Sequence, residues 1–225
     1  MRDEPVLLVH GFATSAERTW TDNGWVDLLR DAGRDVIAPD LLGHGQAAKP
    51  HDPAAYAALE SDLAAQLPDR PVDAIAFSLG ARVVLTLAAA SPDRFARIVV
   101  AGVGANLFRT EDSSSVIAGA IEGTDTSDNP VVQYFAGLAR QPGVDREALA
   151  ACIRSRRPPL DAAVLGKVTC PVLVVLGDRD FAGPADPLVE ALPDVRFRTL
   201  RGVDHFATPK DFGFIDAALD FLGAQ

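Results

Sequence analysis

The 225-residue chain has little cysteine, little lysine and no long apolar run. Its two cysteines, Cys152 and Cys170, cannot build a disulfide framework, and their spacing fits no metal-ligand pattern. They read as reduced thiols outside any mechanism, and no metal site is expected. The first apolar run, Val6 to Val9, stops after four residues at His10-Gly11. That is too short for a signal-peptide core or a membrane span, so a cytoplasmic protein is expected. Basic charge is also in deficit: 21 Lys and Arg stand against 31 Asp and Glu, for a formal net charge of -10. Such a field repels phosphate backbones and anionic bilayers, which argues against nucleic acid and membrane surfaces as partners. Lysine occurs only at Lys49, Lys167 and Lys210, and this bias toward arginine, with abundant alanine, is consistent with a GC-rich bacterial genome. No internal repeat is visible.

What is present is apolar residue in quantity, 48% of the chain, enough for one domain with a well-buried core. Short runs rich in Val and Ile recur at Val6 to Val9, Val36 to Ala38, Val72 to Phe77, Arg97 to Ala101, Val172 to Leu176 and Val195 to Leu200. They read as buried strands. Segments of helical character lie between them, at about Gly24 to Asp31, Pro53 to Gln66, Leu79 to Ala90, Pro184 to Ala191 and Phe212 to Leu222. This alternation predicts an α/β fold, a mostly parallel sheet of about six strands flanked by helices. From 104 to 167 the alternation stops; a serine run at Ser113 to Ser115, several prolines and short amphipathic pieces replace it. Val116, Ile117, Ile121, Val131, Val132 and Leu149 give that stretch enough apolar surface to pack, so it is read as a small helical lid set into a core of 1–103 and 168–225.

In open sheets of this kind ligands bind at the carboxyl ends of strands, so residues just after each strand are where chemistry is to be sought. Ala76-Phe77-Ser78-Leu79-Gly80 lies between a strand and a helix. A sharp strand-to-helix turn there lifts a serine oxygen clear of the sheet, and small residues on either side let neighbouring elements approach. By itself the pattern also fits a serine that merely caps a helix. A serine nucleophile needs a base. Of the four histidines, His51 sits in a Pro-rich loop, His44 in the turn Gly43-His44-Gly45, and His10 looks structural; His205 follows the last strand, at the rim where the serine also emerges. The base must be oriented by a third group. Asp178 and Asp180 both follow the strand that ends near Leu176; Asp180 is preferred because a turn after Gly177 can direct it toward His205. Asp178 is left as a loop cap or a partner of Arg179.

The order Ser78, Asp180, His205 resembles that of the α/β-hydrolase superfamily, as do His10-Gly11-Phe12, Ala76 to Gly80, Gly177 to Asp180 and the turn Asp40-Leu41-Leu42-Gly43-His44-Gly45. Two departures stand out. Ala76 replaces the usual first glycine of G-x-S-x-G, and Ala47 stands where relatives usually carry serine. The antiparallel opening hairpin common in that superfamily is also expected to be missing. The resemblance implies an oxyanion hole built from the backbone N–H groups of Phe12, with Ala13 as the alternative, and of Leu79. It implies a serine hydrolase that cleaves a carboxylic ester or related acyl bond of a small-molecule substrate through an acyl-enzyme, without a cofactor. An enol-lactonase or a carbon–carbon bond hydrolase uses the same three residues, and a non-catalytic small-molecule sensor keeps the same fold. A serine at the elbow argues against the dehalogenases and epoxide hydrolases of this fold, which need an aspartate. The expected pocket combines Phe12, Leu107, Phe108, Tyr134, Phe135 and Phe206, and Arg154, Arg156 and Arg157 are candidates for attracting a substrate carboxylate.

Overall fold

The computed structural model describes residues 4–109, 114–125, 127–155 and 157–224. Six strands form one sheet: β1 (Val6–Val9), β2 (Val36–Ile37), β3 (Val72–Phe77), β4 (Phe95–Ala101), β5 (Val172–Gly177) and β6 (Val195–Leu200). Their order is β2-β1-β3-β4-β5-β6 and every pairing is parallel, so all six carboxyl ends lie along one rim. The alternation of β1 shows why the runs are apolar throughout. Leu7 and Val9 enter one buried cluster, and Val6 and Leu8 enter the other, because successive side chains point to opposite faces and both faces are covered.

One face is covered by α2 (Leu59–Ala64), α3 (Leu79–Ala90) and α8 (Asp186–Ala191), the other by α1 (Trp25–Asp31) and α9 (Phe212–Leu222). Trp20 and Trp25 are fully buried and meet edge to face, and Trp25 also packs on Phe214, which clamps α1 to α9. The connection from β4 to β5 carries α4 (Ser114–Glu122), α5 (Pro130–Ala139), α6 (Arg146–Arg154) and the short α7 (Ala162–Leu165). Of these, α4 packs on both α5 and α6, whereas α7 lies against α3 and α8 in the layer that covers the sheet. Among the described residues no helix is long and apolar enough to cross a membrane.

Two sequence expectations need correction. The helix anticipated over Pro53 to Gln66 is split into a 3₁₀ turn, Pro53–Tyr56, and α2, because Ala58 leaves helical geometry (φ -136°, ψ 52°) while the Tyr56 ring is buried and its hydroxyl donates to Pro50 O. The run Val195 to Leu200 is a strand but not a buried one. It ends the strand order, and Arg196, Phe197, Arg198 and Thr199 are exposed. Sequence reading also missed a π-helical turn at Glu17–Thr21, where an apolar tryptophan is flanked by polar residues without a recognisable helical period.

Candidate active site

Ser78 is placed by the turn from β3 into α3. Its φ of 53° and ψ of -113° lie in a region that residues with a Cβ seldom occupy, so the serine is held under local strain. The surrounding backbone imposes it. Ser78 N–H donates to Ala101 O at 2.9 Å, anchoring the elbow to β4, and Gly80 sits so close to the end of β1 that a Cβ there would lie 2.5 Å from both Val9 O and His10 O. Gly11, on the facing loop, runs against Phe77 and Ser78 for the same reason. Ala76 is fully buried and fits at the position of the usual glycine.

Asp180 is carried by the loop after β5 and His205 by the loop after β6. These loops cross closely: a Cβ on Gly177 would lie 2.1 Å from Val203 O. The three side chains meet. His205 Nε2 is 3.0 Å from Ser78 Oγ, and His205 Nδ1 is 2.9 and 3.1 Å from the two carboxylate oxygens of Asp180. Asp180 Oδ1 also accepts from Ala182 N–H, which fixes the carboxylate. A neutral imidazole with its proton on Nδ1 satisfies both contacts and leaves Nε2 free to accept from the serine hydroxyl. The ring is almost wholly buried, held between Phe77 (centroids 4.8 Å apart) and Phe181 (4.3 Å).

The competing candidates are occupied elsewhere. Asp178 accepts from Gly202 N–H and closes the loop; Asp204, next to His205 in sequence, accepts from the N–H groups of Phe206 and Ala207. His10 is fully buried, donates from Nδ1 to Gly11 O and accepts at Nε2 from Leu41 N–H, so it pins β1's loop to the loop after β2. Burial pushes its pKa down, and His44, buried beside it, is pushed down to about 3; both stay neutral. Asp40 accepts from Ala16 and Gln46 N–H, and Gly45 lies against its carboxylate where no Cβ fits. The D-x-x-G-x-G turn is thus architectural. Among the described residues the backbone N–H groups of Phe12 and Leu79 donate to no other group, and both residues line the same cavity as Ser78.

Two cavities open beside Ser78. The larger, about 700 Å³, is lined by Phe12, Leu79 and Phe181 together with Arg82, Ile153, Arg157 and Pro158. The smaller, about 140 Å³, lies toward Thr19, Asn23, His205 and Lys210. Phe12 and Phe135 line both and so partition them, whereas Tyr134 and Phe206, stacked with centroids 3.4 Å apart, line only the smaller. Leu107 lines the larger cavity. Phe108, at the end of the 3₁₀ turn Ala105–Phe108, lines neither and packs instead against the buried cluster, while Asn106 and Arg109 line the larger cavity. Of the three arginines singled out near the end of α6, Arg154 is paired with Glu122 on the surface, Arg157 reaches the larger cavity, and Arg156 lies outside the described residues. Sequence reasoning missed Phe181 and Arg82. Phe181 had a readable signal, since it follows Asp180 directly; Arg82, one turn into α3, looked like an ordinary helix-surface cation.

Comparison with known proteins agrees with this arrangement. Residues 6–216 match a family model described as alpha/beta hydrolase family. A pimeloyl-[acyl-carrier protein] methyl ester esterase of Neisseria meningitidis is 31% identical over 207 aligned residues, spanning 80% of this chain and 76% of that one. Among solved structures, a bromoperoxidase from Bacillus anthracis superposes with a TM-score of 0.75 at 25% identity, covering 99% of this chain and 92% of that one. A 2-hydroxy-6-oxo-6-phenylhexa-2,4-dienoate hydrolase from Rhodococcus gives 0.67 at 21%, covering 98% and 89%. An all-parallel sheet with this strand order, a serine at the strand-to-helix turn and a matching family model over nearly the whole length lead to one conclusion: the chain belongs to the alpha/beta hydrolase family.

Proposed function

We propose that the protein is a serine esterase acting on a small carboxylic ester, with Ser78 as nucleophile, His205 as general base and acid, and Asp180 as the residue that orients and charge-stabilises the imidazole. The observation that carries this reading is the continuous Ser78–His205–Asp180 hydrogen-bond chain at 3.0 and 2.9 Å. His205 Nε2 takes the hydroxyl proton as Ser78 Oγ bonds to the ester carbon. The oxygen that becomes negative is received by the N–H groups of Phe12 and Leu79, a contribution worth about 3 kcal/mol per donor in the transition state. The C–O bond to the alcohol then breaks, His205 returns the proton to the departing alkoxide, and water activated by the same imidazole releases the acid and regenerates Ser78.

The two cavities support an assignment of substrate halves. The acyl portion occupies the larger, and the alkoxy group occupies the smaller, whose volume of about 140 Å³ suits a methyl or other short alkyl group. The esterase relative is named for a methyl ester, in keeping with this assignment. A fluorophosphonate probe is expected to label the wild-type protein rapidly, Ser78→Ala not at all and His205→Ala slowly. Hydrolysis of methyl esters should exceed that of long-alkyl esters of the same acid. Folded wild-type protein that neither labels nor hydrolyses any of a series of simple esters would sink the reading and favour a binding role for the pocket.

A further inference from the structure

Resting on the esterase reading, we propose that the larger cavity is an anion-recognition subsite and that the preferred substrate carries a carboxylate at the far end of its acyl chain, received by Arg82 and Arg157. Three arginines line this cavity, Arg82 from α3, Arg109 after β4 and Arg157 after α6, and among the described residues no acidic one lines it. In a chain of net charge -10 such a lining is opposite in sign to the molecule as a whole. Arg34 and Arg97 pair with Asp73, and Arg154 pairs with Glu122, whereas among the described residues no carboxylate pairs with Arg82, Arg109 or Arg157.

Their donors are only partly used, and on neutral acceptors. Arg82 Nη2 donates to Pro158 O, Arg109 donates to Phe181 O and Gly183 O, and Arg157 Nη2 donates to Cys152 O with Cys152 Sγ at 3.4 Å. Arg157 Nε is buried with no hydrogen-bond partner. A guanidinium has five donors, so each keeps spare capacity, and its planar fork matches a carboxylate. The two cations are also near enough to disfavour each other. Burial and the charge of Arg157 push the Arg82 pKa down to about 10, with Glu60 as the acidic group that offsets this in part. A bound carboxylate would relieve that repulsion and satisfy donors that the fold leaves open. A cavity of about 700 Å³ is of small-molecule size, and the overall negative charge disfavours an acidic macromolecule as the source of the anion.

The test compares monomethyl esters of linear dicarboxylic acids of medium length with methyl esters of the corresponding monocarboxylic acids. At low salt the wild-type protein is expected to prefer the charged ester by about tenfold or more in kcat/KM, chiefly through KM, since hydrogen bonds to charged groups are worth about that factor or more. Raising the ionic strength should erode the preference. Arg157→Gln and Arg82→Gln should each lower the charged-to-neutral ratio about tenfold, while Arg154→Gln, on the surface, keeps both activity and ratio. Calorimetric titration of wild-type protein with the free dicarboxylate, against a diol of equal length, reads the subsite without any turnover and without a variant that must fold. Dicarboxylate binding that weakens with salt supports the proposal. Equal use of charged and neutral esters, with no dicarboxylate binding, overturns it and leaves the esterase reading intact; dicarboxylate binding without hydrolysis of any ester overturns the esterase reading alone.

Discussion

Ser78 sits in a conformation that costs about 1 to 3 kcal/mol, and the surroundings that impose it are themselves readable as chemistry. Asp180 holds His205 by its Nδ1–H, so Asp180→Asn turns an acceptor into a donor there and favours the wrong tautomer. A fall in kcat of about 10³ to 10⁴ with little change in thermal stability is expected, measured as single-ester kinetics beside a melting curve. Gly102 offers a subtler case. It has φ +67°, and a Cβ there would lie 3.0 Å from His205 Cε1 and 2.5 Å from Phe77 Cε2. Gly102→Ala should therefore lose about 1 to 2 kcal/mol of stability for the left-handed backbone and lose kcat as well, because the imidazole is displaced from Ser78. An unchanged kcat in the folded variant would show that the ring tolerates the intrusion. At this scale Ser78, Asp180 and His205 were legible because each lies within a few residues of a strand end, where local pattern is strong. Phe108 was misjudged because an aromatic's direction depends on one turn of backbone that sequence pattern does not reveal.

Strands and helices were legible where their apolar spacing is regular. Leu79 to Ala90 and Phe212 to Leu222 were read with the observed limits, since one begins at the elbow and the other is capped by Asp211, whose carboxylate accepts from Gly213 and Phe214 N–H. β6 was read as buried along with the other short apolar runs, yet an edge position is a property of the sheet and not of the strand. Contacts between elements add a pH-dependent feature. His51, in the loop before Pro53, has Nε2 3.0 Å from Asp145 and Nδ1 3.1 Å from Glu147, the N-cap and second residue of α6. The hydrogen bond with Asp145 raises the His51 pKa above its ordinary 6.5, helped by the charge of both carboxylates. A raised folded-state value means the stabilisation is fully present below about pH 6.5 and is lost as pH climbs through the folded value. The stability difference between wild type and His51→Gln, followed by chemical unfolding from pH 5.5 upward, should shrink with rising pH; a difference that grows would reverse the assignment.

For the molecule as a whole, the end of the sheet opposite the candidate site is tied by one buried carboxylate. Asp73, at the start of β3, accepts from Arg34 Nη2 and from Arg97 Nε and Nη2, while Arg34 reaches Glu4 O and Leu222 O and Arg97 reaches Phe221 O. The network joins the chain's start, the central strands and the end of α9. Removing the acid leaves two buried guanidinium groups uncompensated, so Asp73→Ala is expected to cost about 3 to 5 kcal/mol in urea unfolding, with the active-site rim unaffected in any protein that remains folded. A loss below about 1 kcal/mol would mean that water enters and solvates the arginines. None of this was visible beforehand, because Arg34, Asp73 and Arg97 are spread along the chain with no motif between them.

The sequence by itself determined what is encoded locally: parallel strands from runs apolar on both faces, helices from their spacing, and the position of Ser78, Asp180 and His205 just beyond strand ends. It also carried the family, through short glycine-bearing turns whose geometry tolerates few substitutes. Only the tertiary structure decided which side chains share a cavity. Arg82, Arg109, Arg157 and Phe181 come together because the β4–β5 connection folds back over the rim, and the sign and shape of that space depend on contacts between residues up to about a hundred positions apart. Spacing along a chain reports periodic burial well, since burial repeats with the element; it reports convergence poorly, since convergence depends on how whole elements pack.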